Sequence, residues 1–186
     1  MSKPIEKITD DLAAWLAAQP MFFVATAPLA DAGRINCSPK GGAGFRVLGS
    51  REVAYADWFG SGAETAAHLR ENGRIVLMFC AFAGEPEIVR LHGRGEVIPP
   101  EDQRFAELAA TFPSHPGLRS IVRIDVERVS TSCGWGVPLM RFEQHRTGLE
   151  SWAEKKGADG LAQYRIQKNA VSIDGLPAFD PPGEQN

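Results

Sequence analysis

Residues 53–79 read VAYADWFGSGAETAAHLRENGRIVLMF, a stretch that combines a strand, a turn, a helix and a second strand. Hydrophobic side chains alternate from Val53 to Asp57, Gly60-Ser61-Gly62 interrupts them, and Gly73 ends the helical pattern that follows. A turn of small residues at a helix N-terminus collects unpaired backbone N–H groups, and the helix dipole adds partial positive charge there. The turn is therefore a candidate binding site for a phosphate group.

The same turn has a second interpretation that involves no ligand. Ser61 and Glu64 have the spacing of a capping box, in which Ser61 caps the helix and Glu64 bonds back to the backbone of Ser61. Glu64 also places a negative charge where a phosphate would bind. The local pattern favours the cap and leaves the phosphate site open.

The composition is typical of one soluble globular domain. The chain has 186 residues, of which 44% are hydrophobic and 23% charged, with a net charge of -3. Acidic and basic residues are mixed along it, which argues against a nucleic-acid surface. Glu6, Asp10 and Asp11 precede any apolar run, unlike a signal peptide, and no run approaches the ~20 apolar residues of a membrane span. We expect a single domain over residues 1–186, located in the cytoplasm.

The cysteines and histidines indicate neither a disulfide framework nor a metal site. Cys37, Cys80 and Cys133 are far apart and form no CxxC pair, so we expect three free thiols in a reducing compartment. The histidines show no HExxH spacing, and we expect no bound metal. They are His68, His92, His115 and His145.

The rest of the sequence predicts short strands with helices between them. At least five strands that can pair antiparallel predict a small barrel with helices packed outside. Gly93 and Gly95 fall on the apolar face of one alternating strand, which predicts a sharp bend or a close backbone neighbour, and a change of phase near Arg128–Val129 predicts a bulge. The predicted strands cover residues 21–27, 34–38, 53–57, 75–79, 88–98 and 121–133. The predicted helices cover about 5–19, 63–71, about 101–112 and a C-terminal extension at about 144–170 that breaks at Gly157, with frayed residues from Pro177 onward.

Two other segments are candidates for contact with a ligand. Glycines and a proline in SPKGGAGFRVL, residues 38–48, let the backbone approach a ligand closely, with Lys40 and Arg46 as cations at the two ends. Trp135 lies between two glycines on flexible backbone. Its indole either lies against a planar ligand or fills the end of the barrel.

The order of several short motifs resembles the pyridoxamine 5'-phosphate oxidase-like family of FMN-binding split barrels. The motifs are NCSPKG, FRVL, GSGAET, HLRENGRIVLMF and VRLHGRGEV, followed by SCGWGVP. Together they span residues 36–138, somewhat more than half of the chain. No single motif is specific, whereas the ordered set is.

The resemblance implies a six-stranded antiparallel Greek-key split β-barrel that pairs as a homodimer, with two FMN sites at the subunit interface. It implies that Arg46 binds the flavin phosphate and that Trp58 and Phe59 meet the flavin with their backbone. The turn and the start of the helix would hold the phosphate, and Lys40 would supply additional charge. The candidate cofactor-binding residues are Ser38, Lys40, Arg46, Trp58, Phe59, Gly60, Ser61, Gly62, Thr65, His68 and Trp135.

Three departures from the oxidase itself limit what the resemblance implies. The oxidase carries a basic cluster at the helix start, where this sequence has Glu64-Thr65. The lysine that closes the arginine strand has no clear counterpart, because Gly49-Ser50-Arg51 stands there. The arginine-rich C-terminus that binds the pyridoxal substrate is replaced by LPAFDPPGEQN. We therefore expect FMN but not vitamin B6 chemistry.

Three functions remain open at this point. The first is an FMN-dependent oxidoreductase acting on a small molecule, in which the flavin carries the electron transfer. No catalytic residue is identified, since the sequence shows no acid–base pair or nucleophile constellation. The second is a protein that carries flavin or haem without turnover, and the third is a reductase that uses the deazaflavin F420. Phe79–Phe82 and the C-terminal helices are candidates for the dimer interface.

Overall fold

The computed structural model describes residues 6–180, in which seven strands and four helices follow one another along the chain. Their bounds agree with most of the predicted elements to within a few residues. In chain order they are α1 (Asp10–Ala18), β1 (Met21–Thr26), β2 (Asn36–Gly41), β3 (Phe45–Gly49), β4 (Glu52–Trp58), α2 (Glu64–Asn72), β5 (Arg74–Cys80), β6 (Glu87–Ile98), α3 (Phe105–Ala109), β7 (Leu118–Cys133) and α4 (Gly148–Lys168).

The seven strands form one curled antiparallel sheet in the order β2-β1-β5-β6-β7-β4-β3. Phe22 on β1 and Phe45 on β3 have ring centroids 5.5 Å apart, although four strands separate them in this order. Such a contact requires the sheet to close around a shared core. Tyr55 and Phe79 complete the aromatic cluster inside the curl, and both are buried. The predicted fold class, a mainly β split barrel with flanking helices, is confirmed.

The pairing of β6 with β7 shows both backbone features that the sequence predicts. A Cβ atom added at Gly93 would collide with the carbonyl oxygen of Asp125 on β7, so only glycine fits at this position. The register then shifts between His92 and Gly93, because their partners are Arg128 and Val126. Glu127 is the extra residue of the predicted bulge.

The helices follow local signals that are visible in the sequence. The Thr9 hydroxyl accepts a hydrogen bond from the N–H of Leu12 at 3.3 Å and caps α1. Gly73 ends α2 in the left-handed conformation, with φ 69°. Gly157, with φ 63°, divides α4 into two helical segments at the predicted break. Only the middle of the predicted helix at 101–112 is helical, as α3.

The predicted capping box at Ser61 and Glu64 is wrong. The helix α2 begins at Glu64 with Ala63 at the N-cap position, and no side chain caps it. Ser61 lies outside the helix and is exposed. The carboxylate of Glu64, which a capping box would bond to the backbone of Ser61, instead accepts a hydrogen bond from the backbone N–H of Ile173 at 3.2 Å.

Three further expectations are corrected by the strands and the C-terminus. The sheet has seven strands rather than the six that the resemblance implied. The second strand extends to Gly41 because Lys40 and Gly41 pair with Phe22 and Met21, and its edge position tolerates Pro39. Residues 177–180 are not frayed, since Ala178 and Phe179 pack against the alanines of α2. Residues 181–186 lie outside the described part of the chain.

The cysteines are free within residues 6–180, as expected. Cys37 and Cys133 are exposed, whereas Cys80 is buried at the end of β5. Burial raises the pKa of the Cys80 thiol and makes it the least reactive of the three. None of the helices described here is long and apolar enough to cross a membrane.

We predict that Gly93→Ala destabilises the protein by about 1–3 kcal/mol or more, because the added methyl group must displace the backbone of β7. Gly136→Ala is the matched control, since a Cβ atom there meets no atom within 4 Å. Urea unfolding measures both changes. Equal stability of the two variants would contradict the close approach of the two strands.

Candidate functional site

A buried ionic cluster joins the end of β4 to β2 and β7. Lys40 donates from Nζ to Oδ1 of Asp57 at 3.0 Å, and Arg119 donates from Nε and Nη2 to Oδ2 at 3.0 and 2.7 Å. The hydroxyl of Ser120 also donates to Oδ2 of Asp57, at 3.2 Å. Asp57, Arg119 and Ser120 are all buried. Such charges persist away from water only when they are paired and hydrogen-bonded, as they are here.

The charge state of Asp57 follows from these contacts. Burial alone raises the pKa of this carboxyl group, but the charges and hydrogen bonds of Lys40 and Arg119 outweigh burial and lower the pKa to about 2. Tyr55 lies beside the cluster, with Lys40 Nζ 5.6 Å from the centre of its ring. Burial and the neighbouring Asp57 raise the pKa of the Tyr55 phenol well above its ordinary value. Asp57 is therefore ionised and Tyr55 neutral near neutral pH.

The guanidinium of Arg119 also fixes the turn between β4 and α2. Its Nη1 donates to the carbonyl oxygens of Gly62 at 3.0 Å and of Gly60 at 3.4 Å. The amide group of Asn169, at the end of α4, donates to the Gly60 carbonyl at 2.8 Å. No peptide bond described here is cis, so the N–H groups that follow these carbonyls point away from Arg119.

The backbone N–H groups of the turn are accordingly free. Within residues 6–180, no hydrogen bond uses the amides of residues 61–66, and the first amide of α2 with a partner is that of Ala67. A Cβ atom added at Gly60 would meet nothing within 4 Å. The turn therefore has several backbone donors without a partner at a helix N-terminus, of which those of Ser61 and Gly62 belong to exposed residues and those of Ala63 and Ala66 to buried ones.

A second polar cluster connects α2 to the β1–β2 hairpin. Asn36 donates from Nδ2 to the hydroxyl of Thr65 at 2.9 Å and accepts a bond from the Ser38 hydroxyl, also at 2.9 Å. Thr26 and His68 continue the cluster, with Oγ1 and Nδ1 2.9 Å apart. His68 is fully buried, and this burial lowers its pKa against the opposing effect of nearby carboxylates. The structure thus brings three of the predicted site residues, Ser38, Thr65 and His68, into one network.

The aromatic pair at the end of β4 packs against protein. The Trp58 indole stacks on His115 with ring centres 4.7 Å apart, and side chains at Gly42 or Gly44 would press into the indole. Gly42 and Gly44 therefore make room for the Trp58 indole, and the approach of this loop to a ligand stays a prediction. Phe59 is buried against α4, and its N–H donates to the carbonyl of Gly117 at 2.8 Å.

Two of the predicted site residues lie away from the turn. Arg46 donates from Nε to the carbonyl of Thr111 at 2.6 Å and from Nη1 to those of Ala43 and Phe45, and its guanidinium covers the ring of Phe112. Trp135 is 84% exposed and does not fill the end of the barrel within this chain. None of the contacts described here joins either residue to the turn.

Sequence reasoning missed Asp57, Arg119, Asn36 and Asn169. A carboxylate inside the apolar strand VAYADWF was a usable signal, because a buried Asp needs a charged partner. Arg119 was missed because the strand was predicted to begin at Ile121, whereas it begins at Leu118. No local signal indicates Asn169, which contacts Gly60 across 109 positions of sequence.

Comparison with known protein families identifies a family with this fold. Residues 8–133 match the family model for pyridoxamine 5'-phosphate oxidase. The chain belongs to this family. A curated relative is the pyridoxamine 5'-phosphate oxidase family protein ustO of Aspergillus flavus, 41% identical over 192 residues, which cover 94% of this chain and 76% of ustO. The matched range, residues 8–133, includes both polar clusters of this chain but ends before Asn169.

Solved structures share the fold of this family member at low sequence identity. A Lactobacillus delbrueckii protein assigned as a candidate pyridoxamine 5'-phosphate oxidase has a TM-score of 0.53 at 16% identity, over 69% of this chain and 98% of that one. A single-residue variant of HupZ from Group A Streptococcus has a TM-score of 0.52 at 19% identity, over 67% of this chain and 99% of that one. At these identities the likeness concerns the split barrel alone.

Residues 6–180 contain no group of three or more His, Cys, Asp or Glu side chains placed to hold a metal ion. The polar groups of the site are instead a buried ion pair with Lys40, a network of hydroxyl and amide groups, and the free backbone amides of the turn. This set of donors suits an anion rather than a cation.

We predict that the Asp57 carboxylate stabilises the fold above about pH 5 and that this contribution, about 2–3 kcal/mol, is lost as the pH falls towards 2. The sign follows because its pKa falls from 3.8 in the unfolded chain to about 2 in the fold. Urea unfolding between pH 6 and 2.5, at about half-unit steps, measures the loss.

Asp57→Asn should remove this acid-sensitive part and lower the stability at neutral pH, since Lys40 and Arg119 lose their partner. Asp31→Asn, in the exposed turn after β1, is the matched control and should leave the pH dependence unchanged. A carboxyl signal of Asp57 that titrates near pH 4 in the folded protein would contradict the prediction.

Proposed function

We propose that this protein binds FMN and catalyses oxidation–reduction of a small molecule. The observation that carries the proposal is the turn between β4 and α2, whose carbonyls face Arg119 and whose amides at residues 61–66 are free. Backbone N–H groups at a helix N-terminus, with the positive end of the helix dipole, bind phosphate well. Membership of the pyridoxamine 5'-phosphate oxidase family supports a flavin as the bearer of that phosphate.

The donors of the turn fit a phosphate group. The hydroxyl of Ser61 is on an exposed residue, and Thr65 is in the first turn of α2, so both can add hydrogen bonds to those of the amides. A Cβ atom added at Gly62 would lie 2.8 Å from Oε2 of Glu64, so a side chain there would displace this carboxylate. The negative charge of Glu64 opposes a phosphate, and its bond to the Ile173 amide directs one of its oxygens to the C-terminal segment.

The protein's part in the proposed reaction is to hold and enclose the cofactor. When bound, FMN supplies the electron transfer. Asp57 is a poor proton donor at neutral pH, because Lys40 and Arg119 keep it ionised. His68 is buried and bonded to Thr26, which suits a role in holding α2 against the hairpin. We therefore assign no catalytic residue and propose that the substrate binds beside the flavin ring.

We also propose that two copies pair, with the cofactor sites at their interface. Large apolar side chains are exposed in one segment, with Trp135 84%, Leu139 80%, Met140 57% and Phe142 54% exposed. Exposed apolar patches of this kind mark interaction sites. Of the interface candidates at Phe79–Phe82, the first three residues are buried within the subunit, so segment 135–142 is the better candidate. The exposed free thiols of Cys37 and Cys133 favour the cytoplasm as the location.

The absorption spectrum of the purified protein tests the cofactor. FMN gives two bands in the visible and near ultraviolet, whereas haem gives a Soret band and a deazaflavin a single band near the blue edge. Reduction of the bound flavin followed by stopped-flow reoxidation, with air and a panel of acceptors, then separates an enzyme from a carrier. A protein that neither retains FMN nor binds it on titration would overturn the proposal.

The resemblance implies that Arg46 contacts the flavin phosphate, whereas in this chain it bonds three carbonyls that lie away from the turn. A phosphate contact predicts that Arg46→Ala weakens FMN binding by roughly ten- to a hundredfold, because a charged hydrogen bond contributes ~1.5–3 kcal/mol and ~1.4 kcal/mol is one decade. Arg46→Lys should recover part of the affinity, since the charge remains and the fork is lost. Riboflavin, which lacks the phosphate, should bind all three proteins almost equally. Flavin fluorescence titration measures these affinities.

Arg46 also bonds three backbone carbonyls, so its replacement lowers stability as well as any affinity, and the stability of each variant must be measured. Unfolding curves of the Arg46 variants show how far the loop and the end of α3 are weakened. A loss of affinity that is equal for FMN and riboflavin would assign Arg46 to structure alone and remove it from the phosphate site.

Trp135→Ser combined with Leu139→Ser should convert a dimer into a monomer, because both side chains are apolar surface left exposed by residues 6–180, which a partner would cover. Light scattering at micromolar concentration measures the mass. Leu29→Ser, at an exposed site in the loop after β1, is the control and should remain dimeric. A wild-type protein that is already monomeric would exclude the interface.

A further inference from the structure

The C-terminal segment, residues 169–180, packs across the start of α2 and the turn before it. Ala178 and Phe179 cover Ala63, Ala66 and Ala67. The segment folds back on itself, with a bond from the Ser172 N–H to the Leu176 carbonyl at 2.9 Å and from the Ala178 N–H to the Ala170 carbonyl at 2.9 Å. It is therefore an ordered element of the fold, although it contains no helix or strand of its own.

Two residues of the segment act on the turn, Asn169 directly and Phe179 through Arg119. Asn169 is fully buried and donates directly to the carbonyl of Gly60 at 2.8 Å. Phe179 contacts the turn through Arg119. Its ring lies 4.8 Å from the guanidinium carbon of Arg119, and the same guanidinium donates hydrogen bonds to the Gly60 and Gly62 carbonyls. On its other side the same ring lies 5.3 Å from the guanidinium carbon of Arg165.

Ion pairs hold both arginines that contact Phe179, and a third ion pair holds Asp180, the residue after it. Arg119 is held by Asp57 at 2.7 Å and Arg165 by Glu101 at 2.9 Å, so the Phe179 ring lies between two anchored cations. Asp180 pairs with Arg70 of α2 at 2.8 Å. A cation over an aromatic face is stabilising, most of all when both groups are buried, as Phe179 and Arg119 are.

We propose that the C-terminal segment is the positioning element of the phosphate site, acting through Asn169 and Phe179 to hold the Gly60 and Gly62 carbonyls inward. With these carbonyls fixed, the N–H groups of Ser61 and Ala63 point away from Arg119, which is the side of the turn where the proposed function places the flavin phosphate. This inference rests on the proposed function. It also assigns a role to residues beyond position 133, where the family match ends.

Asn169→Ala and Phe179→Leu test the inference in the full-length protein. The first removes the direct bond to Gly60, and the second removes the aromatic face above Arg119 while keeping an apolar side chain. Val171→Ala is the matched control, because its side chain belongs to the same segment and is 54% exposed. Arg119 itself is left intact, since its loss would leave Asp57 buried without a partner.

The affinities for FMN and riboflavin give the first measurement. Each test variant should bind FMN roughly five- to tenfold more weakly, the effect of about one hydrogen bond or one cation–aromatic contact. Riboflavin should bind within about twofold of the wild type, because only the phosphate meets the turn. Val171→Ala should match the wild type with both ligands.

Hydrogen exchange of the cofactor-free protein gives the second measurement. The Ala67 N–H is the first bonded amide of α2, at 3.0 Å from the Ala63 carbonyl, and it should exchange faster in both test variants than in Val171→Ala. Unchanged exchange would show that the segment does not hold the turn. Faster exchange with unchanged FMN affinity would show that the turn is held but does not bind the phosphate. Either result overturns the inference.

The two proposals fail in different ways. If the wild-type protein binds no flavin, the proposed function fails, and with it the assignment of a phosphate to this turn. The exchange comparison still decides whether the C-terminal segment holds the turn, since it uses no ligand. If the wild type binds FMN while the variants bind it equally well, only the positioning role is lost.

Discussion

The buried ion pair between Asp57 and Arg119 is the contact on which the arrangement of the site depends. It joins the end of β4 to the first residues of β7, at the point where the chain leaves the sheet for α2. An unpaired charge in this place would be strongly unfavourable, so each partner fixes the position of the other. Lys40 adds a third strand to the connection, because it reaches Asp57 from β2.

Arg119 donates to Asp57 from Nε and Nη2, which leaves Nη1 free to bond elsewhere. The hydrogen bonds of Nη1 determine the conformation of the turn. One guanidinium nitrogen serves the carbonyls of Gly60 and Gly62, and the amides on the other side of these peptide planes are left for solvent or a ligand. The network of Ser38, Asn36 and Thr65 holds the same helix from the hairpin side. The start of α2 is thus fixed by side chains from three separate parts of the chain.

Local patterns were sufficient for most of the fold and for part of the site. Alternation located the strands, and Gly73, Gly93 and Gly157 each marked a backbone feature that the structure contains. The ordered motifs led to the family and its barrel. These signals work because strand faces, helix ends and tight contacts depend on neighbouring residues or on one residue type.

The contacts that define the site were beyond local patterns, because they join residues far apart in sequence. Asp57 and Arg119 are separated by 62 positions, and nothing within either segment indicates the other. Ser61 has a sound capping pattern, yet distant groups hold the turn in a conformation that does not use it. Nothing in the local sequence shows that the glycines at 42 and 44 accommodate the indole of Trp58.

The long-range contacts of Asn169 and Asp174 have a consequence for the order of folding. Asn169 meets Gly60 across 109 positions and Asp174 meets Arg34 across 140, so each contact closes a long loop of chain. Closing a longer loop costs more conformational entropy, and neighbouring strands of the barrel close shorter ones. We therefore expect the barrel strands to pair first and the turn before α2 to reach its final conformation late, when residues 169–180 dock against it.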